Sequence, residues 1–309
     1  MTEEHVHGDS TIRATENAAA SAAVSLDASP SQTIVPAQEG RCPNCSPTRA
    51  LTQPNHNPPW VYVIGDVDAR YPSLAVEKEA IGAMGRLEKA AGLSNDAALQ
   101  MMLENPNNAF LVREMCYVLL VQEVETYILL PRVPQDYSML VEAGKHELSA
   151  VIGMRGPIAG PEVCNGLTLP FLIFDVIYNF DRAALITDLS SLPTLPKGAD
   201  ASKFQKNAAD IFNQVLLLVD DGTEMKRALA YLLIRNAELY RNITKAFDEN
   251  AQVTSIEVKP APVSSTQKLV DVVVRMVNRS NAAPSSIFAR VNLDNKLPYM
   301  VTGWQPYWQ

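Results

Sequence analysis

The hydrophobic period of this chain changes near residue 250, and this change limits the folds that the chain can adopt. Before it, apolar residues recur at helical spacing, as in Phe204, Ala208 and Ile211. After it, apolar and polar residues alternate around Ile256 and Val258, and again within residues 271–276 and 287–294. A period of two is typical of antiparallel strands with one face in solvent. The last part of the chain is therefore predicted to be an antiparallel meander.

Four earlier segments are predicted to be strands because they are apolar and rich in β-branched or aromatic residues. They are WVYVIG from Trp60, ETYILLPRV from Glu125, SAVIGMRG from Ser149 and LPFLIFDVIYNF from Leu169. The chain lacks a regular alternation of strand and helix, and this favours an α+β fold. In that fold we expect helices to pack on a mixed, largely antiparallel sheet that ends in the C-terminal β-meander.

The predicted helices begin at short polar residues, which are the preferred helix caps. One helix runs from about Ser73 to Ala91, and Ser94 caps the next. Another opens at Asn107 or Asn108 and carries Cys116 on its apolar face. Three more precede the meander, the second capped by Thr223 and the third by Asn236. The aromatic C-terminus is expected to dock on the domain through Trp304, Tyr307 and Trp308.

Residues 1–40 are predicted to form a disordered acidic tail. They contain a single base, Arg13, and six acids: Glu3, Glu4, Asp9, Glu16, Asp27 and Glu39. This gives the tail most of the chain's formal net charge of −8. The segment is rich in Ala, Ser and Thr and cannot bury enough apolar surface to offset its ordering entropy. Residues 41–309 are predicted to form a single domain.

Charge and motif content argue against several classes of function. A negative net charge gives no indication of a nucleic-acid or anionic-membrane partner. The first residues are acidic and polar, unlike a secretory signal, and the later apolar runs are too short to span a bilayer, so a cytoplasmic location is expected. Neither a nucleophile elbow nor a glycine-rich phosphate loop is found in the sequence.

Four cysteines are candidate metal ligands. Cys42 and Cys45 form a C-P-N-C knuckle, and Cys116 and Cys164 could complete a four-thiolate zinc site. In a reducing compartment this is favoured over two disulfides. The spacing alone leaves two alternatives open: Cys116 as a small buried apolar residue, and His56 as a ligand in place of one thiolate. A redox role for the knuckle is disfavoured because it lies in a proline-rich loop and not at a helix start.

Two polar clusters could bind a ligand or transfer protons. The segment GDVDARYP places Asp66, Asp68 and Arg70 directly after a strand, and a glycine-rich turn places Arg155 and Glu162 beside the last cysteine. Paired carboxylates can act as general acids and bases. The competing interpretation, which we favour, is that the two aspartates shape a turn through hydrogen bonds to the backbone.

Several segments, in the same order, resemble the C-terminal domain of cyanobactin maturation proteases of the PatG and PatA type. The resemblance starts near Cys42 and is carried by VYVIGDVDARYPSLAVEKE, ETYILLPRVPQDYSMLVEA, VIGMRGPIAGPEVCNG, FDVIYNFD, VDVVVRMVNRS and FARVNLDNKLPYMVT. In that family the domain is appended to a subtilisin-like protease whose Asp, His and Ser motifs are missing here. The family also has cysteines at the positions of all four cysteines of this chain. The resemblance therefore implies a structural zinc ion that staples the N-terminal loop to the domain.

The resemblance implies a pathway, the maturation of ribosomally made peptides, and not a reaction. The expected role is that of a non-catalytic accessory or scaffold protein without a protease domain. Its partners would be a protease or other maturation enzyme, a precursor peptide, or a second copy that adds to the edge of the meander. Two alternatives remain: an enzyme that uses a cleft with acidic residues and arginine, and a zinc-thiolate redox or metal sensor.

Overall fold

The computed structural model describes residues 60–87, 92–191, 201–219, 223–263 and 265–308. All of these ranges belong to one compact unit, Asn55–Gln309. The predicted boundary between tail and domain, at residues 40 and 41, lies outside the described residues. Across the described ranges, no helix combines the length and the apolar character that crossing a bilayer requires.

The first sheet is a closed five-stranded barrel with the strand order β1-β2-β3-β5-β4. β3 and β5 are parallel, and the other neighbouring strands are antiparallel. The strands are β1 (Trp60–Arg70), β2 (Cys116–Val121), β3 (Val124–Pro131), β4 (Leu148–Ile158) and β5 (Pro170–Phe180).

Two glycines allow neighbouring strands of the barrel to approach each other closely. A Cβ atom on Gly65 would lie 2.3 Å from the carbonyl oxygen of Leu120, and one on Gly153 would lie 2.2 Å from that of Ile173. Both glycines lie next to a shift in strand register. Glycine in a strand interior often marks such a bend, where one backbone approaches another too closely for a side chain.

Four short helices cover one part of the barrel. They are α1 (Leu74–Gly85), α2 (Asn95–Glu104), α3 (Ala109–Glu114) and α4 (Tyr137–Ala143). The hydroxyls of Ser73 and Ser94 accept hydrogen bonds from the first turns of α1 and α2, which confirms the predicted starts of these two helices. The helices share a core with the barrel strands that includes Val63 and Phe174.

A second layer of helices and a second sheet follow. The helices are α5 (Arg182–Ser191), α6 (Ala201–Leu216), α7 (Lys226–Arg235) and α8 (Ala237–Asp248). The sheet is an antiparallel meander of β6 (Ala251–Pro260), β7 (Leu269–Asn278), β8 (Pro284–Asn292) and β9 (Tyr299–Pro306). α7 contacts β1 of the barrel as well as β6 and β7 of the meander, so the helices link the two sheets through one core.

These elements confirm the α+β class and the C-terminal meander, but three local predictions were wrong. The strand at Trp60 does not end at Gly65: Asp66, Asp68 and Arg70 pair with Leu120, Val118 and Cys116 of β2, so they lie on a strand and not in a turn. Pairing with β2 supplies hydrogen bonds that a turn would otherwise provide, and it overrides the local preference of aspartate for turns.

The second error concerns Cys116, which was placed on a helix. α3 ends at Glu114, Met115 has an extended backbone, and Cys116 is the first residue of β2. The segment CYVLLV is buried along most of its length, and such a short apolar run has no periodicity that separates a strand from a helix.

The third error concerns the helices before the meander. α5 was not expected, and the cap position of α7 is Met225, which makes no side-chain cap. Thr223 instead accepts hydrogen bonds through its carbonyl from the backbone of Lys226 and Arg227. Asn236 does cap α8, as predicted.

The aromatic C-terminus docks in part. The Trp304 indole donates a hydrogen bond of 3.0 Å to Asn236 and packs against the core through which the helices link the two sheets. Tyr307 makes an edge contact with Phe288, with ring centroids 5.7 Å apart. Trp308, by contrast, is 86% exposed.

Candidate functional site

An open cleft of about 750 Å³ lies at the end of β1, and we call it the β1 cleft. It lies between the last residues of β1 and the helices α1 and α2. Its described lining consists of Asp68, Ala69, Arg70, Tyr71, Glu77, Ile81, Met84, Gly85, Leu87, Leu93, Asn95, Asp96, Ala98 and Leu99. Its size falls within the range usual for ligand sites.

Helical spacing brings the cleft side chains of each helix to one face. On α1, Glu77, Ile81 and Met84 are separated by four and three residues, and on α2, Asp96 and Leu99 are separated by three. Each helix therefore presents a carboxylate and, one turn further on, an apolar side chain to the same cavity.

The predicted pair Asp68 and Arg70 lies in the cleft, where the two side chains bind each other. The Nε atom of Arg70 is 2.6 Å from the Oδ2 atom of Asp68, and its terminal nitrogen is 3.1 Å from a carboxylate oxygen of Glu125 on β3. All three side chains are partly exposed, so the pairs add little to stability. Their main effect is to occupy the guanidinium of Arg70.

Tyr71 follows Arg70 and sits in the acidic part of the cleft. Partial burial, together with the charges of Glu77 and Asp96, raises the pKa of its hydroxyl above the usual value of 10.0. The phenol is therefore protonated at neutral pH and can donate or accept a hydrogen bond.

A smaller cavity of about 90 Å³ adjoins the cleft and shares Asp68, Asp96 and Leu99 with it. Its other walls include Tyr117 and Leu140, which belong to the barrel core. The β1 cleft thus opens toward the barrel core.

Asp66, Arg155 and Glu162 do not line the β1 cleft. Asp66 reaches solvent, yet partial burial raises the pKa of its carboxyl above 3.8, and the charge of Asp68 adds to this effect. The guanidinium carbon of Arg155, on β4, lies 5.8 Å from the ring centroid of Tyr127. Glu162 is exposed in the loop between β4 and β5, and no ion pair joins it to Arg155.

The structure brings Cys116 and Cys164 together, as the zinc prediction requires, but joins them as a disulfide with a Cα–Cα distance of 5.7 Å. Both residues are buried, in a small apolar cluster with Val118 and Ile128. Cys42, Cys45 and His56 lie outside the described residues. Within the described ranges, no group of three or more His, Cys, Asp or Glu side chains is arranged to hold a metal ion.

The sequence prediction missed Tyr71, Glu77 and Asp96 as cleft residues. Tyr71 belongs to the GDVDARYP segment that drew attention to Asp68, and Glu77 shares a helical face with Ile81. A solvated helix face explains such acids equally well. The acidic residues therefore indicate a binding site only when α1 and α2 are known to face one cavity.

Comparison with known proteins gives a family for the chain. A family model described as "PatG Domain" matches residues 60–271, which is well over half of the chain. A solved structure titled "PatG Domain of Unknown Function" has a similar fold, with a TM-score of 0.63 at 16% identity, and the match covers 80% of this chain and 98% of that one. No curated protein matches the chain. The chain belongs to the PatG-domain family.

Proposed function

We propose that this protein is a non-catalytic accessory protein of ribosomal peptide maturation, of the cyanobactin type, and that it binds a peptide in the β1 cleft. Family membership, together with the resemblance to the domain that accompanies cyanobactin proteases, supports this choice of pathway. The peptide is either a segment of the precursor or an exposed segment of a maturation enzyme.

The observation that carries this proposal is the β1 cleft itself. A cavity of about 750 Å³ accommodates a few amino-acid residues, and its lining combines apolar side chains with a small number of polar groups. Ile81 is 54% exposed and Leu93 is 42% exposed, so a bound peptide would remove apolar surface from water.

The ion pair between Asp68 and Arg70 favours a binding role over a catalytic one. A general acid or base must have a proton to give or an open position to receive one. Here the two groups neutralise each other, and Glu125 binds the remaining side of the guanidinium.

Calorimetric titration of the purified protein with its precursor peptide and with the enzymes of the pathway tests the proposal. We expect binding to at least one of them. Ile81→Gln should weaken that binding about tenfold, because the exposed apolar wall is lost. Leu74→Gln is the matched control: Leu74 is equally apolar, lies on the same helix and is 63% exposed, but does not line the cleft. No binding to any of these molecules, or equal effects of the two substitutions, would contradict the proposal.

We also propose that the reduced protein holds zinc through Cys42, Cys45, Cys116 and Cys164, as a staple between the N-terminal loop and the barrel. The positions of Cys116 and Cys164 support this proposal, since their Cα atoms are only 5.7 Å apart and both thiolates could bind one ion. The 14 residues between Cys45 and Trp60 can extend over about 45–50 Å. Cys116 pairs with Arg70, which lies ten residues along β1 from Trp60, or about 33 Å, so the segment is long enough to reach it. The disulfide and the zinc site are exclusive states of the same cysteine pair, because zinc requires thiolates.

A further inference from the structure

The outer face of β2 and β3 is apolar and buried, although it lies outside the barrel. All five barrel strands contribute side chains to the core that includes Val63 and Phe174, so this core is the barrel interior. Side chains alternate along a strand, and Val118 and Ile128, which pair across β2 and β3, point away from that interior. Both are buried, so another part of the chain covers them.

The loop between β4 and β5, residues 159–169, covers this face, and we call it the β4–β5 loop. Ala159 and Cys164 of the loop are buried in one apolar cluster with the two strand residues, and Leu167 packs against the same cluster. The disulfide joins Cys164 to Cys116, the first residue of β2. The loop is therefore tied to the face that it covers.

The β4–β5 loop is a folded unit of its own. The backbone of Ala159 donates a hydrogen bond of 2.8 Å to Leu169 at its base, and Gly166 donates one of 2.7 Å to Pro161 inside it. Asn165 and Gly166 have positive φ angles of 46° and 93°, as the Asn-Gly pair has in a type I′ turn. In the described part of the chain, the hydrogen bonds of this loop are all internal. Apolar contact and the disulfide thus hold it against β2 and β3.

The covered face is the one at which barrels of this topology bind their ligands. The strand order β1-β2-β3-β5-β4, the parallel pair β3–β5 and a helix, α4, between β3 and β4 are the arrangement of an OB-fold. OB-folds bind ligands on strands 2 and 3, between the loops that follow strands 1 and 4. Here the second of these loops lies on the face itself.

The side chains of the face indicate the chemistry of its ligand. Beside Val118 and Ile128, the cluster includes the partly buried Leu120 and Phe171. Such a surface does not suit the oligonucleotides and oligosaccharides that many OB-folds bind. It suits apolar groups, as the side chains that the β4–β5 loop places on it already show.

We propose that the β4–β5 loop is a lid over an apolar binding face on β2 and β3, and that the bond between Cys116 and Cys164 is its lock. While the bond is intact, the loop fills the face with its own side chains. When both cysteines are thiols, the loop moves away as a unit, and an apolar ligand takes its place. These residues do not line the β1 cleft, so the lid is independent of the proposed function.

A dithiol reductant opens the lock. It transfers two electrons and two protons to the Cys116–Cys164 bond, which breaks to give two thiols, and the reductant becomes a disulfide. A zinc ion bound to both thiolates would hold the loop in the same place. The open state therefore requires reduced cysteines without metal, and the experiments below include EDTA together with the reductant.

Labelling of Cys116 with N-ethylmaleimide measures the opening, because this residue is only 6% exposed under the closed loop. Mass spectrometry of peptides gives the labelling rate in the reduced, metal-free protein and in the same protein unfolded in urea. We expect the folded protein to react within about a hundredfold of the unfolded rate, as for a segment that opens locally at low cost. A slower reaction would show that the loop stays closed without its disulfide, and would overturn the proposal.

The fluorescence of anilinonaphthalene sulfonate, a dye that binds exposed apolar surface, probes the face itself. We expect it to rise severalfold when the oxidised protein is reduced in EDTA. Cys116→Ala and Cys164→Ala should each give the high signal without reductant, and reductant should then add nothing. Cys42→Ser with Cys45→Ser is the control, because it retains the lock and should respond as the wild type does. Equal fluorescence of the oxidised and the reduced wild type would contradict the proposal.

Circular dichroism and thermal denaturation distinguish a lock from a staple of the whole fold. We expect the reduced protein and both alanine variants to remain folded at room temperature, because the barrel interior does not include the loop. If reduction or either substitution unfolds the entire domain, the disulfide stabilises the fold as a whole, and the assignment of a lid is wrong.

Discussion

At the scale of single residues, the carboxylate of Asp175 on β5 binds two cationic side chains. Arg132 approaches it with two nitrogens, Nε at 2.5 Å and a terminal nitrogen at 3.1 Å, and the ammonium of Lys296 lies 3.6 Å away. Lys296 belongs to the loop before β9 and also lies 6.0 Å from the ring centroid of Trp60. Asp175 therefore joins the barrel wall to the meander.

We expect Asp175→Asn to lower the free energy of unfolding by about 1–2 kcal/mol at pH 7, since charge-assisted hydrogen bonds are lost. Partial burial raises the pKa of Asp175, but the hydrogen bond from Arg132 and the charge of Lys296 outweigh this and hold the pKa below 3.8. A carboxyl with a lowered pKa stabilises the fold above its unfolded pKa, and this contribution is lost as the pH falls through the folded pKa. The difference between wild type and variant should thus be constant above about pH 5 and shrink below about pH 4.

Urea denaturation at a series of pH values measures this difference. Asp210→Asn, a change at an exposed aspartate on α6, is the control and should show no such loss. A difference for Asp175→Asn that stays the same down to pH 2.5 would show that the ionised carboxylate is not the stabilising form.

At the scale of elements, Asn236 fixes the junction between α7, α8 and β9. Its Oδ1 atom accepts a hydrogen bond of 2.8 Å from the backbone of Leu239 and another of 3.0 Å from the indole of Trp304. Its side-chain nitrogen lies 3.6 Å from the sulfur of Met300. One buried side chain thus caps a helix and holds the last strand against the core.

Asn236→Ala should cost about 1–3 kcal/mol of stability, because it removes a helix cap and leaves the Trp304 indole without its acceptor. Asn236→Asp retains the accepting oxygen and should recover most of the loss. Ser94→Ala removes an exposed cap with a single bond of 3.3 Å, and we expect it to cost only about 0.5–1 kcal/mol. Thermal denaturation of the three variants, combined with Trp fluorescence, measures these effects. Equal losses for Asn236→Ala and Ser94→Ala would mean that the contact with Trp304 contributes nothing.

The same elements show which parts of the fold could be predicted from sequence. The meander was predictable because one face of each strand is buried and the alternation is visible along a single segment. Asn236 and Ser94 were predictable as caps because capping depends on residues close in sequence. The length of β1 was not predictable, because its second half forms a strand only by pairing with β2, which lies about fifty residues later in the sequence.

At the scale of the whole molecule, the closed barrel and the β1 cleft could not be predicted from local patterns. Closure depends on the close approach at Gly65 and Gly153 to strands distant in sequence. The cleft combines residues of β1, α1 and α2, and among the predicted candidates that the structure describes, only Asp68 and Arg70 lie in it. The polar cluster of the loop between β4 and β5 was grouped by sequence with Cys164, but the structure places the cysteine in the apolar core and Glu162 in solvent.

The cysteines link parts of the chain that are distant in sequence. The disulfide between Cys116 and Cys164 joins two segments 48 residues apart. As a disulfide, this link would stabilise the fold by up to about 4 kcal/mol through loop closure. As part of a zinc site it would also fasten the segment around Cys42 and Cys45 to the barrel. The two states differ in their response to reductant: reduction removes the first link and permits the second.

We therefore expect protein purified under reducing conditions to contain about one zinc ion per chain, as a closed four-thiolate site would hold. Cys42→Ser with Cys45→Ser should lower the zinc content to near zero, because two thiolates alone do not close a structural site. His56→Ala should leave the content unchanged if all four ligands are cysteines, and a loss of zinc in this variant would identify the histidine as a ligand. Elemental analysis, with intact mass under non-reducing conditions, measures both states. A wild-type protein that contains no zinc under reducing conditions would overturn the staple, because the thiolates would then be available and the ion would still be missing.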